Sequence, residues 1–290
     1  MSLKKLIQNS PYFCTHFTDG WQDKAVHLLG FPFDGTACFR KGACDGPQAI
    51  RDVSDGYESY SPYLNADLED YPLFDFGDLP FGNEWQQNFE CFTEILEAKP
   101  AQAKLLTLGG EHSIPYPAIK HYLNQYSNLV LIHLDAHADL MDGYEGHHYS
   151  HNSIIKRSLD HFGDQHQLIQ YGIRSGTKPE FEWMKEHKTL CSSRDQFIQR
   201  IEGLPADQPL YLTLDLDFFD PAYLPGTGTP ETGGEDFHFF MKFLKILQSK
   251  KFVGADVVEL APSLDQTGNS ECFTAKLVRE VLLTLSMTPF

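Results

Sequence analysis

Leu-Ile-His-Leu-Asp-Ala-His-Ala-Asp, residues 131–139, is an apolar run that delivers Asp135, His137 and Asp139 where it stops. On an extended chain alternate residues share a face, so these three side chains are expected to point the same way and to form one wall of a metal site. A second run, Leu-Tyr-Leu-Thr-Leu-Asp-Leu-Asp (210–217), ends in Asp215 and Asp217 on a single face. A third, Leu-Leu-Thr-Leu (105–108), leads into Gly-Gly-Glu-His-Ser (109–113) and supplies His112. Six candidate ligands thus collect at the ends of three strand-like segments.

Similar apolar runs recur at 26–31, 73–76, 105–108, 129–134, 168–173, 210–214 and 252–258. Between or after them lie helix-like stretches at 47–53, 84–98, 113–124, 195–202, 235–248 and 274–287. The alternation predicts an α/β fold with a mostly parallel sheet covered by helices on both faces. In open sheets of this kind ligands bind outside the carboxyl ends of the strands, which is where each candidate ligand falls. With no Pro/Ser linker, repeat or low-complexity tract, residues 1–290 read as one domain.

Composition narrows the class. The 290 residues are 41% apolar, enough for a sizeable core. Twenty-three basic against 40 acidic residues give a net charge of −17, which repels a phosphate backbone, so no nucleic-acid partner is expected and small cations become plausible ligands. Cys14, Cys38, Cys44, Cys91, Cys191 and Cys272 include no Cys-x-x-Cys pair and read as reduced thiols of a cytoplasmic protein. The N-terminal Met-Ser-Leu-Lys-Lys-Leu-Ile-Gln-Asn-Ser has no apolar stretch after its lysines, and no run of about 18 apolar residues follows, so neither secretion nor a membrane is expected.

Four carboxylates and two imidazoles without a thiolate suit a hard or borderline divalent ion, Mn²⁺ best of all. Six ligands exceed what one open catalytic ion needs, whereas two ions about 3.5–4 Å apart share carboxylates and a readily ionised water. Taken singly, each fragment has a plainer reading. Gly109-Gly110 serves as a turn, with Ser113 capping the next helix ahead of Pro115, and Asp215-x-Asp217 before Asp220-Pro221 serves as a capped turn. Together they favour a metal, because so many acidic and imidazole groups converging without cations would repel and desolvate one another.

With Gly-Gly-Glu-His-Ser (109–113), Asp-Ala-His-Ala-Asp (135–139), Ser-His-Asn-Ser (150–153) and Asp-Leu-Asp-Phe-Phe-Asp-Pro (215–221) in this order, the chain resembles the ureohydrolase family of arginases, agmatinases and related amidino hydrolases, most closely the bacterial agmatinases. Gly-Phe-Pro-Phe-Asp-Gly-Thr (30–36) and Val-Val-Glu-Leu-Ala-Pro (257–262) extend the likeness over nearly the whole chain. The resemblance implies a three-layer α/β/α sandwich and two Mn²⁺ per subunit. One would be held by His112, Asp135, Asp139 and Asp215, the other by Asp135, His137, Asp215 and Asp217. It further implies hydroxide attack on a guanidinium carbon to release urea and an amine. In that reaction Asp139 orients the nucleophile, His151 shuttles a proton, a role suited to a group titrating near pH 7, and Glu259 pairs with the guanidinium. A homotrimer or homohexamer is expected on the same ground. His133 reads as a buried core or supporting group.

The substrate is less determined. Arginases carry an asparagine where this chain has Met141, and the loop after it offers Asp142 and Glu145 but no cation. An acidic rim would favour agmatine, yielding putrescine and urea. Arg174 and Lys178 keep a carboxylate-bearing substrate open, as a guanidinobutyrase would use, and Asn152 stands where many relatives have a small residue. A deacetylase of related architecture and a non-catalytic metal-binding homologue are the remaining alternatives, both disfavoured by the complete ligand set.

Overall fold

The computed structural model describes residues 6–80 and 85–290; the expected features before residue 6, and position 84 of the helix read at 84–98, lie outside them. The strands are β1 (His16–Phe17), β2 (Val26–Phe31), β3 (Tyr60–Ser61), β4 (Ala66–Asp67), β5 (Leu73–Asp78), β6 (Lys104–Gly109), β7 (Val130–Leu134), β8 (Gln167–Tyr171), β9 (Leu190–Cys191), β10 (Pro209–Asp215) and β11 (Lys251–Val258). The helices are α1 (Gly46–Ser54), α2 (Trp85–Glu97), α3 (Tyr116–Gln125), α4 (Ile154–Leu159), α5 (Lys178–His187), α6 (Arg194–Glu202), α7 (Phe237–Leu247) and α8 (Asn269–Met287). Among the described residues nine strands form one sheet in the order β1-β5-β2-β6-β11-β10-β7-β8-β9, each neighbouring pair parallel, while β3 and β4 form a separate antiparallel pair.

The apolar runs divide between the two faces of this sheet, as strands buried on both sides must. Along β7, Val130, Ile132 and Leu134 enter one core and Leu131 the other; along β10, Leu210, Leu212 and Leu214 part from Tyr211 in the same way. Ile50 of α1, Phe197 of α6, Phe240 of α7 and Leu282 of α8 pack on the first face. Phe92 of α2, Ile119 of α3 and Ile155 of α4 cover the second. The result is the three-layer α/β/α sandwich that the family resemblance implied. Among the described residues no helix is long and apolar enough to cross a membrane.

Helix starts follow side-chain caps that take up orphan backbone N–H groups. Asp236 accepts from Phe239 N at 2.8 Å ahead of α7, and Ser193 accepts from Gln196 N at 3.2 Å ahead of α6. Asp265 accepts from the N–H and hydroxyl of Ser270 at 2.9 and 2.7 Å, which starts α8 five residues before the expected 274. Ser113 does not cap α3. That helix begins at Tyr116, and the Ser113 hydroxyl donates to Glu111 instead. Helices α4 and α5 were not expected. α5 is announced by a capping box in which Thr177 and Glu180 bond reciprocally, and α4 follows a short turn with a similar box between Ser150 and Ser153.

His27 on β2 is buried between aromatic rings, its centroid 4.7 Å from Trp21 and 5.1 Å from Phe76, and its Nε2 accepts from Gln22 N at 3.0 Å. Burial lowers its pKa from 6.5 to about 4. The folded state therefore refuses a proton that the unfolded chain accepts below pH 6.5, and stability falls with acidification until the pH passes about 4, by about 3 kcal/mol in all. Replacing His27 with Gln is expected to reduce the slope of unfolding free energy against pH by up to one proton over that window. Denaturant titrations at a series of pH values read it, and an unchanged slope would refute the assignment.

Candidate metal centre

Four adjacent strands in the middle of the sheet end level with one another. Leu134 of β7 pairs with Leu214 of β10, Leu214 with Val257 of β11, and Val257 with Leu108 of β6. The residues that follow this row are Asp135, Asp215, Glu259 two positions on, and His112 after the turn from β6. Register thus brings together groups up to 147 residues apart in sequence, the separation between His112 and Glu259, whose backbone N–H and carboxylate meet at 2.7 Å. The turn from β6 is sterically defined: a Cβ on Gly110 would lie 2.0 Å from Phe33 O, so only glycine lets residues 109–111 pass under the loop after β2.

The six predicted ligands converge, though not by the expected alternation. β7 stops at Leu134, and Asp139 is reached through a loop in which its own backbone is left-handed, φ 53°. Asp217 lies on a tight turn at Leu216–Phe218 that Asp215 Oδ1 caps by accepting Asp217 N at 2.9 Å. His112 Nδ1 lies 2.9, 3.1 and 3.3 Å from carboxylate oxygens of Asp135, Asp139 and Asp215. His137 Nδ1 lies 2.9 Å from Asp217 Oδ2 and 3.6 Å from Asp135 Oδ1. Ligand-type atoms of His112, His133, Asp135 and Asp139 fall within 4.8 Å of one another, as do those of Asp135, His137 and Asp217, so Asp135 joins the two groups. Asp215 connects to the first group through His112.

Hydrogen bonds fix which nitrogens are free to bind a cation. Thr213 Oγ1 donates to Asp256 Oδ1 at 2.8 Å and so accepts from His112 Nε2, also at 2.8 Å. The proton of His112 is then on Nε2, and Nδ1 turns a lone pair toward three carboxylates without a hydrogen bond of acceptable geometry to any. His133 carries its proton on the same nitrogen but turns the N–H, not the lone pair, toward the carboxylates. Thr189 donates to Gln170 Oε1 at 2.8 Å, which leaves Gln170 Nε2 to donate to His133 Nδ1 at 3.2 Å and His133 Nε2–H to donate to Asp135 Oδ2 at 2.8 Å. His133 is thereby an orienting group of a carboxylate ligand.

The electrostatics ask for cations. Burial, then the charges of Asp217 and Asp135, push Asp215 well above the usual carboxylate range. Burial and the Asp135 charge raise Asp139 to about 6. Asp135 is held low, because the neighbouring imidazoles, His133 foremost, outweigh its burial. Burial would lower His137, but Asp217 and Asp135 lift it to about 12. Groups that so strongly retain protons or demand positive partners form a donor set that divalent ions fit, with all-oxygen and nitrogen ligands and a lone pair already aimed.

A cavity of about 270 Å³ opens on this cluster, lined among others by His137, Asp139, Met141, His151, Asn152 and Glu259. Glu259 is buried in a left-handed backbone conformation, φ 70°, and burial followed by the charge of Glu111 pushes its carboxyl up to about 8. One of its oxygens accepts the His112 N–H. Burial above all lowers His151 from 6.5 to about 4. Its neighbours Thr36, Cys38 and Glu111 were not singled out from sequence, and neither were Thr213, Gln170 and Asp256, since nothing but the fold brings them to the site.

The charged residues considered for substrate selection stand elsewhere. Asp142 is bound by Arg157, which also contacts His148, and neither Asp142 nor Glu145 lines the cavity. The Arg174 guanidinium is spent on backbone carbonyls of Asp217, Glu231, Thr232 and Gly172 at 2.6–3.1 Å, and Lys178 is exposed, 3.6 Å from Glu182.

A doubly covered parallel sheet whose four central strands end in a carboxylate and imidazole cluster at the floor of a cavity defines a metal-dependent α/β enzyme. The chain belongs to the arginase family, whose model matches residues 24–284. It is 40% identical over 270 residues to an agmatinase of Bacillus subtilis, covering 91% of this chain and 92% of that protein. It is likewise 40% identical over 287 residues to an agmatinase of Bacillus cereus, covering 97% and 96%. The crystal structure of the agmatine ureohydrolase of Thermoplasma volcanium superposes with a TM-score of 0.82 at 25% identity over 98% of this chain and 97% of that one. The protein is therefore a ureohydrolase.

Thr213→Val keeps the shape of the side chain but removes the hydroxyl that joins His112 to Asp256. Divalent-metal affinity, read by competition with a chelator, is expected to fall about 10–100-fold with the circular dichroism spectrum unchanged. Unaltered affinity would remove Thr213 from the site.

Proposed function

We propose that this ureohydrolase cleaves agmatine to putrescine and urea at the cavity above the six-residue cluster. The observation that carries the reading is the lining of that cavity: among the described residues it includes the Glu259 carboxylate and apolar Ala138 and Met141, but no lysine or arginine. A guanidinium thus has an acidic partner, a methylene chain has an apolar wall, and a terminal carboxylate has no cation to meet. The two curated relatives named above are agmatinases. Asp142 and Glu145 do not line the cavity and add nothing to the case, and the absence of Arg174 and Lys178 from its lining weighs against a guanidinobutyrase.

In this reading two Mn²⁺ per subunit would be held by His112, Asp135, Asp139 and Asp215 and by Asp135, His137, Asp215 and Asp217, and would supply Lewis-acid activation of water. The protein's own groups do the rest. Glu259 offers the guanidinium the oxygen that the His112 N–H leaves uncommitted, and the arriving cation favours its ionised form. Asp139 accepts a hydrogen bond from the attacking water and aims it at the central carbon. His151 enters neutral, takes up a proton on its ring and passes it to the departing amine. A cytoplasmic location, a homotrimer or homohexamer, and a single ureohydrolase domain over residues 1–290 complete the proposal. The domain assignment is supported by one continuous sheet that draws strands from His16 to Val258.

Urea release by Mn²⁺-loaded enzyme offered agmatine, arginine, 4-guanidinobutyrate and guanidinopropionate tests the substrate. Agmatine is expected to lead in kcat/KM by at least about tenfold, the equivalent of ~1.4 kcal/mol. Faster turnover of 4-guanidinobutyrate would overturn the substrate assignment. His151→Ala should lower kcat on agmatine by about 10²–10⁴-fold, and retention of full rate would show that the proton travels by another route.

A further inference from the structure

We infer that Thr36 is a positioning residue that sets the tautomer and ring orientation of His151, an inference that rests on the proposed role of His151 as proton carrier. Thr36 lies in the loop after β2 and is buried. It holds Glu111 by two donors, its backbone N–H to Oε2 at 2.7 Å and its hydroxyl to Oε1. The Ser113 hydroxyl adds a third donor to Oε1 at 2.5 Å. Glu111 is fully buried, and burial raises its carboxyl to about 7, but three donors converge on it and favour the ionised form, which only accepts and so commits the single hydroxyl hydrogen of Thr36.

Thr36 Oγ1 is left with lone pairs, and both point to one residue. The His151 backbone N–H donates to it at 3.2 Å, and the His151 ring Nδ1 lies 3.4 Å away. A lone pair on Nδ1 would face a lone pair on the hydroxyl, so Nδ1 carries the hydrogen and donates. A neutral imidazole has one such hydrogen, which leaves Nε2 bare. That nitrogen sits 3.2 Å from Cys38 Sγ, and His151 and Cys38 both line the cavity. The proton-accepting atom is therefore Nε2, chosen by a chain that runs from Glu111, beside the ligand His112, through one threonine hydroxyl. Contact at 3.4 Å is long, as catalytic hydrogen bonds are before substrate tightens them.

The test uses Mn²⁺-loaded enzyme with agmatine and compares Thr36→Val, Thr36→Ser, His151→Ala and the Thr36→Val/His151→Ala pair at equal metal content. Thr36→Val is expected to lower kcat about 10–100-fold with KM within about twofold, a share of what a positioned acid–base group contributes. Thr36→Ser should restore the rate, and Thr36→Val should add no loss once His151 is gone, because its effect passes through that ring. A penalty that persists in the double variant, or a serine that does not rescue, would overturn the inference. Full activity of His151→Ala would instead bring down the proton-carrier reading, and this inference with it. Should Thr36→Val not fold, ¹⁵N spectra of the histidine rings decide without it. The signals lost in His151→Ala must report a protonated Nδ1 and a bare Nε2, and the other tautomer refutes the assignment.

Discussion

The structure is organised around a repulsion. Four aspartates and Glu259 are brought within one small, buried volume where their negative charges cannot all persist unaided. The sheet imposes this by ending β6, β11, β10 and β7 on one level, so that each central strand delivers a polar group to the same place. Every local device at the site then serves to make the crowding tolerable: imidazoles between carboxylates, backbone N–H groups from Ala136, His137 and Asp217 toward Asp217, Asp135 and Asp215, and a donor set that divalent ions fit. The hydrophobic layers above and below provide the rigidity that holds like charges at short range.

Much of this architecture could be read before the fold was known, because the signals were local. Apolar runs of strand length and the polar groups at their ends lie within single stretches of sequence, and the seven runs each correspond to a strand. The reason given for the convergence of Asp135, His137 and Asp139 was too simple. A strand would have aligned them by alternation, whereas the chain leaves the sheet at Leu134 and curls through a left-handed Asp139. Helix α5 escaped notice because its sequence, Lys-Pro-Glu-Phe-Glu-Trp-Met-Lys-Glu-His, buries few side chains, although Thr177 and Glu180 at capping-box spacing signalled its start.

The supporting groups were not legible, and the reason is physical. Thr213 meets Asp256, Gln170 meets His133, and Thr36 meets Glu111 and His151 only after strand order is settled, and each is an ordinary residue in its own segment. The roles of Asp142 and Arg174 stayed open in the sequence for a related reason. Asp142 and Arg174 are conspicuous as charges in a sequence, but the fold satisfies them with Arg157 and with main-chain carbonyls, so their charge is spent on structure.

The clamp of Arg157 on Asp142 and His148 carries a further meaning. The segment it ties down begins at Met141, whose N–H donates to Asn152 O at 3.1 Å, and those two residues line the cavity without belonging to the cluster of acids. The wall a substrate's tail would meet is thus a loop closed on itself and latched from one helix, while the floor is built from the sheet. Such a division makes the fold evolvable: the loop can be lengthened, shortened or exchanged between descendants as a cassette, changing which molecule is admitted while the chemistry beneath is inherited intact.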